Sequence, residues 1–320
     1  MIRKLAFLVG LAFAGVLLIS LGFSVQSYLT EPAEHTAEHE FHKEPAPLAL
    51  ASNGPFGKFD TQQLQRGFQV YKEVCAACHS ISLVAFRDLE HIGYTEAEVK
   101  AIANQWATEV PSINAETGEP ATRKALPADR FPNTYPNETA GRAANNNAYP
   151  PDLSLITKAR EGGAPYIHAL LTGYADQVGY KNKQGLELLK EFPDAKTPDG
   201  LYFNPYFANL NIAMPPPIAA DGQVTYADGT KATVDQMSTD VSAFLVWTAE
   251  PKLEARHATG LTVLIFLIIA TILGYLSYRN IWAEAKRKVA PVGPLDPENM
   301  EKRAEARTVA GIAGGPTPKK

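Results

Sequence analysis

The sequence has little of what usually staples or metallates an exported domain: its only cysteines are Cys75 and Cys78, two in 320 residues. That number excludes a disulfide framework and a four-cysteine zinc site. Methionine is nearly as scarce, with four residues in the whole chain. Charge is also modest, and 20% charged with 45% hydrophobic residues excludes both a disordered chain and a polytopic membrane protein. No internal repeat is visible. The net charge of −4 conceals a division, because residues 28–257 carry 19 Lys+Arg against 29 Asp+Glu while the rest of the chain carries 11 against 5. The middle is acidic and the ends are basic.

That division coincides with two apolar runs. Residues 5–25 follow Arg3 and Lys4, the pattern of an export signal, so residues 1–27 are read as a signal peptide. Cleavage sites of small residues are only faintly marked, at Gly22/Ser24 or Val25/Ser27. The run is long enough to span a bilayer, and an uncleaved anchor is the alternative. Residues 258–278 contain no charge and match a transmembrane helix of about 20 residues; a buried core helix is the competing reading. Arg279, Lys286, Arg287 and Lys288 follow, so the positive-inside rule puts the tail, residues 279–320, in the cytoplasm of a bacterial-type inner membrane and residues 28–257 in the periplasm. Tyr275, Tyr278 and Trp282 sit where an aromatic belt is expected. Residues 31–47 are rich in Glu, His and Pro and read as a flexible leader, with His35, His39 and His42 solvated rather than fixed around a metal. The tail from 291 is expected to be mostly disordered, with at most a short helix over 301–307.

Within the exported domain the helix signals are few. Asp60 caps a helix whose apolar face is Leu64, Phe68, Tyr71, Cys75 and Cys78, at spacings of four and three. Thr95 and Glu98 form a T-x-x-E box ahead of Val99, Ile102, Ala103 and Trp106. Pro165 and Gly173 bracket a third helix with Ile167, Leu170 and Leu171. A fourth carries Val234, Met237, Val241, Phe244 and Leu245. Residues 223–233 read as a hairpin around Asp228-Gly229. Long Pro/Asn/Gly-rich stretches, 111–151 and 174–218, lie between these elements; loops of that length in a domain usually wrap something.

Cys75-Ala76-Ala77-Cys78-His79 names the wrapped object. In C-x-x-C-H the two thiols add to haem vinyl groups and the following imidazole comes under the iron. A thioredoxin-like C-x-x-C pair needs a βαβ context that is missing here and leaves His79 without a role. Iron bound by His79 needs a sixth ligand or keeps an open position. Met1 lies in the signal and Met300 across the membrane, while Met237 falls on the apolar stripe of the fourth helix, where packing is its task. Met214 instead precedes Pro215, Pro216 and Pro217, whose fixed backbone angles favour an extended loop able to present a thioether. His91, His168 and His257 are rivals in polar settings.

Several blocks resemble one family, cytochrome c1, the membrane-anchored haem subunit of the quinol:cytochrome c reductase (cytochrome bc1) complex. They are Gly54-Pro55-Phe56-Gly57, Leu64-Gln65-Arg66-Gly67 and the haem motif; Arg142-Ala143-Ala144-Asn145-Asn146 with Pro150-Pro151-Asp152-Leu153-Ser154; and Gly200-Leu201-Tyr202-Phe203-Asn204-Pro205-Tyr206-Phe207 leading to Met214. The resemblance implies a mainly α, class I cytochrome c fold with long loop insertions and one C-terminal transmembrane helix. It implies one haem c bound covalently through Cys75 and Cys78, His79/Met214 ligation, and Arg142 reaching a haem propionate; an ordinary surface arginine is the alternative. The implied function is single-electron transfer from a Rieske iron-sulfur protein to cytochrome c, beside cytochrome b, with no catalysis by this chain alone and no nucleic-acid partner. A free-standing anchored electron carrier and a haem peroxidase are the competing functions. Asn147 stands where the family pattern leads us to expect glycine, and since Asn tolerates left-handed backbone angles the turn is expected to survive.

Overall fold

The computed structural model describes residues 2–30, 35–288 and 297–309. In chain order the helices are α1 (Ile2–Thr30), α2 (Ala37–Phe41), α3 (Thr61–Glu73), α4 (Glu96–Asn104), α5 (Glu138–Ala144), α6 (Ile156–Ala159), α7 (Gly163–Thr172), α8 (Leu188–Glu191), α9 (Val234–Ala249), α10 (Leu253–Lys288) and α11 (Pro297–Val309). Two antiparallel ribbons, β1 (Val110–Ile113) with β2 (Pro120–Arg123) and β3 (Tyr202–Phe203) with β4 (Asn211–Ile212), complete a mainly α chain. Two units are distinguished, one ending at Glu254 and one beginning at Ala255.

The first unit is organised around α3 and α9. Asp60 starts α3 as expected, its carboxylate accepting from the Gln62 and Gln63 amides at 3.0 and 3.2 Å, and the Thr95/Glu98 box starts α4. Gly67 lets α3 cross α9 closely, because a Cβ there would lie 2.1 Å from the Asp240 carbonyl oxygen and 2.7 Å from the Phe244 Cβ. Phe68 and Tyr71 pack on Phe244 with ring centroids 5.6 and 5.7 Å apart. Phe86, Trp106 and Phe131 continue the main core. Asp240 is wholly buried and is held by Arg66, Gln63 and Gln236, so this interior charge is paired.

Three expectations change. First, α3 ends at Glu73, and Cys75–Ala77 forms a 3₁₀ turn, so the cysteines follow the α-helix rather than riding on its face. Second, residues 223–233 form no strand pair. Gly229 makes the Asp228-Gly229 turn at φ +79°, but Asp228 is drawn to Arg66 at 2.7 Å and Tyr226 is buried with the guanidinium 5.8 Å from its ring centre. Third, the leader expected to be flexible contains α2. Thr36 caps it, and Ala37 and Phe41 join Leu188, Phe203 and Leu210 in a second core cluster.

Among the described residues two helices are long and apolar enough to cross a membrane, Lys4–Thr30 and Leu253–Ala283, whose most apolar stretches have mean hydropathy 2.5 and 2.3. The expectation of one C-terminal span therefore stands beside a second helix of spanning length near the N-terminus. In the second unit the Arg279 guanidinium lies 5.9 Å from the Tyr275 ring centre, and Tyr278 lies 6.3 Å from Trp282. The tail helix expected over 301–307 falls within α11; the rest of the tail expected to be disordered, 291–296 and 310–320, lies outside the described residues.

Candidate functional site

The C-x-x-C-H segment is a tight turn closed on itself, because the Cys75 carbonyl accepts from the Cys78 amide at 3.1 Å and from the His79 amide at 2.9 Å. Both thiols are free; Cys75 is half-buried and Cys78 exposed. Burial, reinforced by Cys78, pushes the Cys75 thiol up to about 12, so it stays neutral near pH 7. The buried Tyr71 hydroxyl donates to the His79 carbonyl at 2.9 Å. Thr134 closes the other side, its hydroxyl donating to the Ala76 carbonyl at 3.3 Å and its amide to the Ser80 hydroxyl at 2.9 Å. Through Thr134 the turn adjoins a cleft of about 580 Å3 lined by residues that include Arg130, Phe131 and Tyr135.

The His79 ring is oriented from the Pro150-Pro151-Asp152 block. Nδ1 lies 2.8 Å from the Pro151 carbonyl oxygen, and since that oxygen only accepts, Nδ1 carries the proton and the Nε2 lone pair is left for a metal. Burial lowers the His79 pKa against the opposing effect of that bond, which keeps the ring neutral and its Nε2 lone pair available. The block itself is pinned to the site: Leu153 donates its amide to the Ser80 carbonyl at 2.8 Å, the Asp152 carboxylate accepts from the Ser82 amide at 2.8 Å, and the Ser154 hydroxyl accepts from the Leu83 amide at 3.1 Å. Partial burial works against the Asp152 charge, yet the Ser154 and Ser82 hydrogen bonds outweigh it and hold the carboxyl below its ordinary range.

Met214 follows β4 by two residues, is half-buried, and packs on the main core. The Tyr174 hydroxyl donates to its carbonyl at 3.0 Å, and Gln223 holds the Pro217 carbonyl beyond it at 2.8 Å. Met237 is wholly buried in α9 among core side chains, the packing role expected of it. His168 bonds Asp235 at 3.0 Å, His91 is exposed, and His257 belongs to the second unit.

Arg142, on α5, is exposed and turned to its own helix, with bonds to Glu138 at 2.6 and 2.9 Å and to the Asn147 carbonyl at 2.9 Å. Asn146 and Asn147 take φ +50° and +63°, so the left-handed turn survives without glycine. Asn146 donates to the Gly200 carbonyl at 3.2 Å, and at Gly200 a Cβ would come 2.4 Å from that same amide nitrogen. The two sequence blocks thus meet at Gly200, whose φ of +81° favours glycine. Motif reading singled out neither Tyr71, Thr134 nor Tyr174 as a support; each acts through one side-chain bond to a main-chain atom, which leaves no spacing signal.

Two thiols one turn apart, an imidazole with Nε2 free, and a half-buried thioether on a proline-fixed loop make a donor set that fits the class of c-type haem domains. The chain belongs to the Cytochrome C1 family, whose model matches residues 50–285. It is 44% identical over 242 residues to cytochrome c1 of Rhodospirillum rubrum, covering 73% of this chain and 85% of the relative. Against "Cytochrome c1, heme protein, mitochondrial" of Saccharomyces cerevisiae it is 42% identical over 269 residues, covering 84% and 81%. It is also 47% identical over 242 residues to "Cytochrome b/c1" of Bradyrhizobium diazoefficiens, covering 72% of this chain but 34% of that longer relative, so the chain spans about a third of its length.

Proposed function

We propose that this chain is a membrane-anchored class I c-type cytochrome that carries single electrons from a Rieske iron-sulfur protein to cytochrome c, in a complex with cytochrome b. The observation that carries the reading is the Cys75–His79 turn whose imidazole tautomer is set by Pro151. Bound there, haem supplies reversible one-electron exchange at iron. The chain's own residues do the rest. Cys75 and Cys78 give the two thioether bonds. Pro151 holds His79 neutral and oriented, and Tyr71 holds the backbone behind it. Met214 would supply the second iron ligand, a soft thioether that raises the potential relative to a second histidine. Arg142 would pair with a haem propionate in place of Glu138, a charge-assisted contact.

Signal removal near residue 27, a periplasmic haem domain over 28–257, a span over 258–278 and a cytoplasmic tail complete the proposal. The S. cerevisiae and R. rubrum relatives carry the cytochrome c1 name, and a Candida albicans relative is named a cytochrome b-c1 complex catalytic subunit, which supports the choice of complex. The test replaces Cys75 and Cys78 with Ala. Haem staining that survives denaturation should disappear, and haem still attached to the denatured double variant would overturn covalent attachment. Co-purification with cytochrome b and an iron-sulfur protein separates this reading from a free-standing carrier, and a low-spin ferric spectrum separates it from a peroxidase with an open iron position.

A further inference from the structure

The helix α2 lies ahead of the residues matched by the family model, 50–285, in a stretch of polar composition, yet it is packed into the fold. Phe41 is 1% exposed. Its ring meets Phe192 edge-on at 6.1 Å and Tyr180 at 6.3 Å, within the cluster that also contains Phe203 and Leu210. Polar bonds fix the chain just after it: the Lys43 amide donates to the Pro205 carbonyl at 2.8 Å, and His42 Nε2 donates to the Tyr206 carbonyl at 3.2 Å. The Lys43 ammonium sits 5.0 Å from the Tyr180 ring centre. The leader therefore grips the loop that joins β3 to β4 from outside.

That loop is under constraint at Leu210. It is 2% exposed and adopts φ +63°, the left-handed region that disfavours a branched side chain. Its carbonyl accepts from the Asn204 amide at 2.8 Å and its amide donates to the Phe207 carbonyl at 2.9 Å. Leu210 immediately precedes β4, and Met214 follows β4 by two residues. A left-handed leucine persists only where its surroundings over-determine it, and the ring of Phe41 is part of those surroundings. Loss of the ring would leave a cavity in the cluster that holds Leu210, freeing its backbone to relax to negative φ and loosening β4 from β3.

We propose that α2 is a clamp on the Met214 loop and that Phe41 is a positioning residue for the distal thioether; this rests on Met214 being the axial ligand. The experiment measures how fast imidazole displaces sulfur from ferric iron in the purified full-length holoprotein, read at the far-red sulfur-to-iron band. Phe41→Ala should raise the displacement rate about tenfold or more, because the rate follows the population of the open loop. Phe41→Leu should stay near the parent, and His42→Ala should fall between. Val99→Ala, a truncation in the main core, should leave the rate unchanged. A Phe41→Ala rate equal to the parent overturns the clamp, as does an equal acceleration in Val99→Ala. Should Phe41→Ala yield no holoprotein, an unaltered rate in His42→Ala overturns it. Met214→Leu is the separate arm: if the band persists there, the ligand reading fails, whereas loss of the band with an unaltered Phe41→Ala rate defeats the clamp alone.

Discussion

Removing the buried carboxylate of Asp240 should be among the most damaging changes available outside the Cys75–His79 turn. It accepts from Arg66 Nε at 2.9 Å and Nη2 at 3.3 Å, from Gln63 at 3.2 Å and from Gln236 at 2.9 Å, and it is wholly buried. In Asp240→Ala the guanidinium keeps only Asp228, at 2.7 Å, while two amide donors lose their acceptor inside the α3–α9 interface. Breaking one side of a buried pair costs about 3–5 kcal/mol. The surviving Asp228 contact points to the lower figure, about 3 kcal/mol, or roughly a hundredfold in the folding equilibrium. For a domain of this size that is a fall of about 6–12 °C in melting temperature, to be read by far-ultraviolet circular dichroism on the purified holoprotein. Arg66→Leu combined with Asp240→Leu should cost less than Asp240→Ala alone, because no charge is then left unpaired. A melting temperature for Asp240→Ala within about 2 °C of the parent would refute the reasoning and mean that water reaches Arg66.

Gly67→Ala should lose about 1–3 kcal/mol by overpacking despite a gain of about 1 kcal/mol in helix propensity, since its methyl would meet α9 backbone at 2.1 Å; an unchanged denaturation midpoint would mean that the helices separate freely. Asp152 titrates below its ordinary range in the folded chain, so its contribution is present above the unfolded value of about 3.9 and is lost as pH falls through the lowered folded value. Asp152→Asn should therefore unfold with a shallower dependence on pH below about 4, and identical acid titrations would rule that out. The glutamates at 90, 96, 98, 109, 116 and 119 should steer a basic cytochrome c, so its reduction rate should fall between 0.01 and 0.1 M salt as the screening length drops from about 30 to about 10 Å. Reversing several of them to Lys should flatten that dependence, and a salt-independent parent rate would remove the steering.

What was legible in the sequence was local. Asp60, the Thr95/Glu98 box and the stripe from Val234 to Leu245 each mark a helix through contacts within a few residues, and those helices form. The C-x-x-C-H spacing likewise carries its chemistry in five consecutive residues. Periodicity misplaced the cysteines because intervals of three suit both an α-helix and a 3₁₀ turn, and only the bond from Cys78 to the Cys75 carbonyl distinguishes them. The hairpin over 223–233 does not form although its turn does: one Asp228 oxygen accepts from the Thr230 amide at 2.9 Å, while Arg66 on α3 takes the other and Tyr226 is drawn into the main core. The leader reads as solvated on composition, yet one aromatic ring, Phe41, had an apolar cluster to enter; a window average cannot register a single anchor. Ribbon β1–β2 falls inside a stretch read only as loop, because its strands are short and Pro111 and Pro120 interrupt any alternation.

The proximal and distal halves of the site are supported differently, and this separates stability from ligation. The Cys75–His79 turn hangs on α3, and the bonds from Tyr71 and Thr134 hold it against the main core. The ribbon ahead of Met214 draws its far end from the second cluster, Met214 itself packs on the main core, and polar ties hold the stretch between: Tyr174 to the Met214 carbonyl, Asn146 to the Gly200 carbonyl, and Asn204 to the Leu170 carbonyl at 2.8 Å. A truncation in the main core removes apolar burial and lowers the stability of the whole unit. Removal of one tie leaves that burial intact but widens the excursions of the loop, so its effect falls on Met214. Local opening of this kind is governed by the few bonds that close the segment and not by the global free energy. The chain therefore holds His79 firmly while the mobility of Met214 is set by a handful of side chains.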